Sequence, residues 1–215
     1  KLGYPRRALR LHECAKVLAA EHDDRVPDDV ETMLTLPGIG DYTARAVACF
    51  HFGQNVPVVD TNVRRVYARA EDGNFLAPLP SKRELAAVAA LLPERNGPRF
   101  SAALMELGAL VCTAKNPDCK RCPLRATCAW QLAGCPEPSA AEQTRAKKRV
   151  QKFAGTDRQV RGKILDVLRA ADHPVPQSAI DVVWPDAAQR SRALASLLDD
   201  GLAEQNPAGL FHLPD

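Results

Sequence analysis

A chain of 215 residues with 29 Lys+Arg and 26 Asp+Glu carries a net charge of +3, too mild for its whole surface to act as a polycation. At 46% hydrophobic and 26% charged it is a globular composition, long enough for one large or two small domains. No apolar run approaches the roughly 18 residues of a membrane helix, so a spanning helix is excluded and any nucleic-acid site must be a local patch.

Lys1-Leu2-Gly3 is neither an initiator methionine nor the basic start of a signal peptide, which predicts a natural N-terminus upstream of Lys1. Leu9, Leu11, Val17 and Leu18 then recur at helical spacing, as do Leu85, Val88, Leu91 and Leu92 further on. Asp28 with Glu31, and Ser81 with Glu84, each place a side-chain acceptor three residues before a glutamate, the signature of a helix start. No period-2 segment of useful length occurs before residue 200.

Between a helix ending near Thr35 and one starting near Asp41 stands Leu36-Pro37-Gly38-Ile39-Gly40. So short a Gly-rich turn joins the two helices as a hairpin. Its glycines permit left-handed backbone and close approach, so that successive N–H groups can point at one phosphate with help from the following helix dipole. Taken alone, the same turn serves equally as a simple αα-corner.

Asp60 follows the apolar run Val56-Pro57-Val58-Val59 and precedes a segment carrying Val63, Val66 and Tyr67. Locally it is an N-cap. A carboxylate held by helix N–H groups can also stabilise a developing positive charge.

Seven cysteines are present, and four of them form Cys112-x6-Cys119-x2-Cys122-x5-Cys128 within 17 residues. An odd total, this clustering and the lack of a secretory start favour a metal site over a disulfide framework. Four close thiolates suit either tetrahedral zinc or a [4Fe–4S] cluster, and spacing alone leaves both open. Cys14, Cys49 and Cys135 sit in or beside apolar segments and read as small buried hydrophobes.

From Gln143 to Lys163, eight cations face Asp157 alone, a solvated linker or a phosphate-contacting strap. Beyond it, helices are predicted over Arg158 to Ala171, Gln177 to Val183 and Ala187 to Asp199. Strands over 201–204 and 209–213 follow, around Asn206-Pro207. Three helices and a ribbon suggest a winged helix, a form that binds DNA, binds protein or merely packs.

The hairpin, the Asp twenty residues after its last glycine and the cysteine spacing together resemble the helix–hairpin–helix base-excision DNA glycosylases that carry an iron–sulfur loop. The resemblance covers about residues 1–135. It implies a mainly α fold, truncated before its first helices, with a [4Fe–4S] cluster on Cys112, Cys119, Cys122 and Cys128. The implied organisation is a glycosylase domain over 1–135, a basic linker over 136–157 and a small winged-helix-like α+β domain over 158–215.

In the strand-cutting branch of that superfamily a lysine stands two residues after the hairpin. Here the position is Tyr42, and a phenol cannot form an imine. Tyr42-Thr43-Ala44 is instead similar to the adenine-specific branch, as Gly155 to Gly162 is similar to the C-terminal segment of its actinobacterial members. The resemblance implies a monofunctional enzyme that removes adenine mispaired with 8-oxoguanine or guanine, acting as a cytoplasmic, nucleoid-associated monomer on double-stranded DNA. Asp60, Tyr42 and Asn62 would form the catalytic pocket. Leu36, Gly38, Gly40, Lys120 and Arg121 would meet DNA, with Lys115 and Arg125 near them.

Members of the branch protonate the base with a glutamate well upstream of the hairpin, a motif that Glu13, Glu21 and Glu31 do not match. Many also carry a hydrolase-like domain that reads 8-oxoguanine, which has no counterpart here. Three rival readings follow: a thymine- or pyrimidine-directed glycosylase, a DNA-binding remnant without its acid, and a zinc-loaded winged-helix regulator.

Overall fold

The computed structural model describes residues 5–148 and 153–214. The chain divides into two compact units, one of residues 9–149 and one of residues 150–215 together with residues 1–8. Among the described residues no helix is long and apolar enough to cross a membrane.

The larger unit is helical. Helix α1 spans Pro5–Glu21, its residues up to Ala8 grouping with the smaller unit, and α2 spans Val30–Thr35. The cap of α2 is Asp29, whose Oδ1 accepts from the Thr32 N–H at 2.7 Å. The expected Asp28 is therefore one residue early; two adjacent aspartates offer the same chemistry, and the register of Met33 into the core decides between them. Leu36 closes α2, its N–H donating to Met33 O, and α3 begins at Asp41 and runs to Phe50. Met33, Ala44 and Ala48 pack between the two arms of this hairpin, flanked by Ile39 and Val47. Two alanines at the contact let the helices approach closely.

Helix α4 (Thr61–Ala70) follows Asp60, and α5 (Lys82–Ala90) starts at Ser81, whose Oγ accepts from Glu84 N–H as the sequence predicts. Helix α6 (Gly97–Leu110) packs along α4, and the short α7 (Ala129–Leu132) also meets α4. The cysteine loop lies between α6 and α7.

The expected linker contains a helix, α8 (Ala140–Lys148), which belongs to the larger unit. Ser139 and Glu142 cap it reciprocally: Ser139 N–H and Oγ donate to Glu142 Oε2 at 2.8 and 2.6 Å, and Glu142 N–H donates to Ser139 Oγ at 3.3 Å. The division between the units falls near residue 150, within the expected linker span of 136–157. Of the basic run, Arg149 and Lys152 lie outside the described residues.

In the smaller unit, α9 (Asp157–Ala170), α10 (Gln177–Asp181) and α11 (Ala187–Asp199) surround Val160, Ile164, Leu165, Leu168, Ile180 and Leu197. Strands β1 (Glu204–Gln205) and β2 (Phe211–His212) pair antiparallel, Gln205 opposite Phe211. The ribbon is shorter than the sequence predicts, because Asn206 Oδ1 captures the N–H groups of Ala208 and Leu210 for the turn. Phe211 exchanges both backbone hydrogen bonds with Val175 at 2.8 Å, which ties the ribbon to the segment before α10.

Candidate functional site

Asp60 caps α4 in extended backbone, and both its carboxylate oxygens are held. Oδ1 accepts from the N–H groups of Asn62 at 2.8 Å and Val63 at 2.7 Å, and Oδ2 accepts from Asn62 Nδ2 at 2.9 Å. A negative group at a helix N-terminus is favoured by the exposed N–H groups and by the dipole. The capping expectation is therefore met in full. The same bonds fix a partly exposed carboxylate in one orientation, as an electrostatic role requires.

Asn62 is itself held. Its Oδ1 accepts from Arg65 Nη2 at 2.7 Å, and Arg65 Nη2 also donates to Gly108 O in α6, while Nε donates to Cys112 O at 2.6 Å. Burial, then the nearby Arg69 charge, lower the Arg65 guanidinium from its ordinary value. A Cβ built at Gly108 would come within 2.6 Å of Asn62 Cβ and 2.8 Å of Asn62 O. Only glycine lets α6 approach the start of α4 this closely.

One turn along α4, Arg69 is 1% exposed. Its guanidinium donates to Phe75 O, Thr113 O and Ala114 O and, through Nη1, to Cys112 Sγ at 3.3 Å. It lies 4.1 Å from the Phe75 ring centroid. Among the described residues no carboxylate pairs with it. Buried cations need compensating negative charge. Cys112, Cys119, Cys122 and Cys128 line one cavity of about 290 Å³ of atom-free space beside Arg69, together with Asp118. Among the described residues, no three Cys, His, Asp or Glu side chains converge as a ready single-ion site.

The other expected residues fall as follows. Tyr42 lies in the first turn of α3, 47% exposed and open to a ligand. Gly38 has φ 77°, the left-handed backbone expected of the hairpin, but Gly40 is extended at φ −99°. Gly40 caps α3 with no side-chain hydrogen bond, so no cap side chain occupies the first N–H groups of that helix. Leu36 is 4% exposed, so its side chain anchors the turn in the core. Lys115, Lys120, Arg121 and Arg125 are all exposed on the cysteine loop. Cys14 and Cys49 are buried as expected, whereas Cys135 is partly exposed with φ 60°. Glu13 pairs with Lys16 on the surface, and Glu21 and Glu31 are exposed.

Arg65, Arg69 and Gly108 escape the sequence reading. The spacing of Asn62, Arg65 and Arg69 on one helical face was available, but their acceptors lie more than forty residues away.

A helix-hairpin-helix motif model matches residues 21–50. A thermostable thymine-DNA glycosylase structure superposes with a TM-score of 0.55 at 32% identity, over 60% of this chain and 59% of that one. An endonuclease III–DNA complex superposes at 0.51 and 26%, over 59% of this chain and 58% of its own. The adenine DNA glycosylase of Mycolicibacterium smegmatis is 62% identical over 99% of this chain and 71% of its own length. With identity of that order over nearly every residue, through both the hairpin and the cysteine loop, the chain belongs to the adenine DNA glycosylase family.

Proposed function

We propose that the chain hydrolyses the N-glycosidic bond of adenine mispaired with 8-oxoguanine or guanine in double-stranded DNA, as a cytoplasmic monomer on nucleoid DNA, without cutting the strand. The observation that carries this reading is the Asp60 carboxylate, fixed by three hydrogen bonds at the start of α4 in a chain of this family. The mispaired base leaves the stack at a cost of a few kcal/mol, less than a matched pair requires. The bond to the sugar then breaks through an oxocarbenium-like state, whose positive charge Asp60 stabilises without having to reorient. Tyr42, exposed after the hairpin, lines the base pocket, and water completes the hydrolysis. A phenol at this position offers no amine to the sugar, which keeps the reaction monofunctional.

The hairpin gives the grip on the strand. Gly38 turns the chain and Gly40 puts no cap side chain on the first N–H groups of α3, which suits a phosphate. Cys112, Cys119, Cys122 and Cys128 fit a [4Fe–4S] group, because they share one cavity with a buried guanidinium already bonded to Cys112 Sγ. When bound, that group supplies a negative centre that fixes the loop. Lys120 and Arg121 are then presented to phosphates, with Lys115 and Arg125 beside them. In the smaller unit, read as a winged helix, the cations of α11 are engaged within the unit. Arg190 is tied to Asp181 and Trp184 O, Arg192 to Asp157, and the wing turn at 206–209 carries no cation.

One observation favours a second reading: the likeness in fold to a thymine-DNA glycosylase, which would make thymine opposite guanine the substrate. Release of free base from matched duplexes carrying adenine opposite 8-oxoguanine or thymine opposite guanine separates the two. Adenine release, abolished by Asp60→Asn with duplex affinity unchanged, supports the first. Thymine release supports the second, and salt-dependent binding with no base released overturns both.

A further inference from the structure

The thiol cavity has a neighbour. A second, larger cavity, about 1540 Å³ of atom-free space open to solvent, lies on the other side of Pro117, Cys119 and Trp130, three residues that line both. Of the four clustered cysteines, Cys119 alone lines both cavities. Cys112 is held by Arg69, and Cys128 is 8% exposed with its Sγ donating to Arg69 O.

A fifth thiol lines the larger cavity. Cys135 follows Gly134 at the end of α7, both in left-handed backbone at φ 79° and 60°. A non-glycine residue is rarely left-handed, and the surroundings must hold it there. Two bonds do so: Cys135 N–H donates to Trp130 O at 2.9 Å, and Gln131 Nε2 donates to Cys135 Sγ at 3.0 Å. The thiol therefore lines the same cavity as Cys119 and is held in place by an N–H donor.

We propose that Cys135 is a reserve ligand that can replace Cys119 at its corner of the cluster. This rests on the [4Fe–4S] reading above. The exchange involves no change of oxidation state: Cys135 gives up its proton and binds the iron, while Cys119 releases the iron and takes up a proton. It keeps four thiolates on the group when Cys119 is lost or blocked, and the loop with its cations stays folded.

Iron and acid-labile sulfide per chain, with the visible charge-transfer absorption, test this on anaerobically purified protein. Cys119→Ala is expected to retain most of its iron and sulfide, and Cys119→Ala/Cys135→Ala to lose them. Cys122→Ala is expected to lose them whether or not Cys135 is present. Equal content in the first two variants overturns the proposal. Stoichiometric zinc in the wild-type chain, without iron or sulfide, overturns the cluster reading beneath it as well. In the otherwise intact chain, Cys135→Ala is expected to release iron to a ferrous chelator in air several-fold faster than wild type, and an unchanged rate also overturns the proposal.

Discussion

Asp60 is bound so completely by groups around it that its orientation is decided elsewhere, and Gly108 is where the decision is most exposed to test. A methyl group there meets the Asn62 backbone oxygen at 2.8 Å, backbone that cannot swing aside as a flexible side chain would. Overpacking of this kind costs about 1–3 kcal/mol. We expect Gly108→Ala to lower the melting temperature by a few degrees yet reduce base release by orders of magnitude, because the shift is delivered directly to the residue that holds the carboxylate. Single-turnover excision compared with thermal melting checks it; a rate loss no larger than the unfolded fraction would show that Asn62 does not transmit position to Asp60. The importance of Asp60 is legible in the sequence, since a cap needs only its own three following residues. The Arg65 and Gly108 contacts are not, because nothing local tells a glycine needed for close approach from one tolerated in a helix.

Among the elements, the hairpin is read correctly because its signal is local turn chemistry: Pro37-Gly38 stops α2, and Gly40 frees the start of α3. Helix α8 shows the opposite error. Its charge density suggests a linker, yet Ser139 and Glu142 form the same capping pattern that identifies α5. Loss of an N-cap costs about 1 kcal/mol. Ser139→Ala should therefore raise amide exchange across 140–148 several-fold while the protection of α4 and α6 is unchanged, which hydrogen–deuterium exchange reads segment by segment. Cys135 misleads for another reason: apolar neighbours in sequence do not reveal that Gly134 turns the chain left-handed and leaves the thiol at a cavity wall.

For the molecule as a whole, the boundary between the units is legible only to within the basic segment, because a short capped helix and a true linker share the same composition. The content of the smaller unit is better read, since Val160, Ile164, Leu165 and Leu168 keep strict helical spacing. Asp200 closes that unit, accepting from Arg161 Nη2 and Arg6 Nε, each at 2.6 Å. Burial pushes its carboxyl up, but the bonds from Arg6 and Arg161 outweigh that and hold it below the usual carboxylate range. A lowered folded value means stability that is complete above the unfolded value of about 3.9 and lost as pH falls through the folded one. The wild-type advantage over Asp200→Asn should accordingly be constant at neutral pH and shrink on acidification below about pH 4, as followed by thermal melting. A gap that widens in acid would contradict the pairing.

The two tryptophans fall one to each unit. Trp130 forms part of the wall between the two cavities, its indole N–H donating to Pro136 O, and Trp184 donates to Gln189 Oε1 within the smaller unit. Intrinsic emission is thereby divided by the fold itself. If the proposed cluster is seated among the thiols, it would quench Trp130 at contact range, and in a Trp184→Phe chain the brightness of one indole would count filled sites directly.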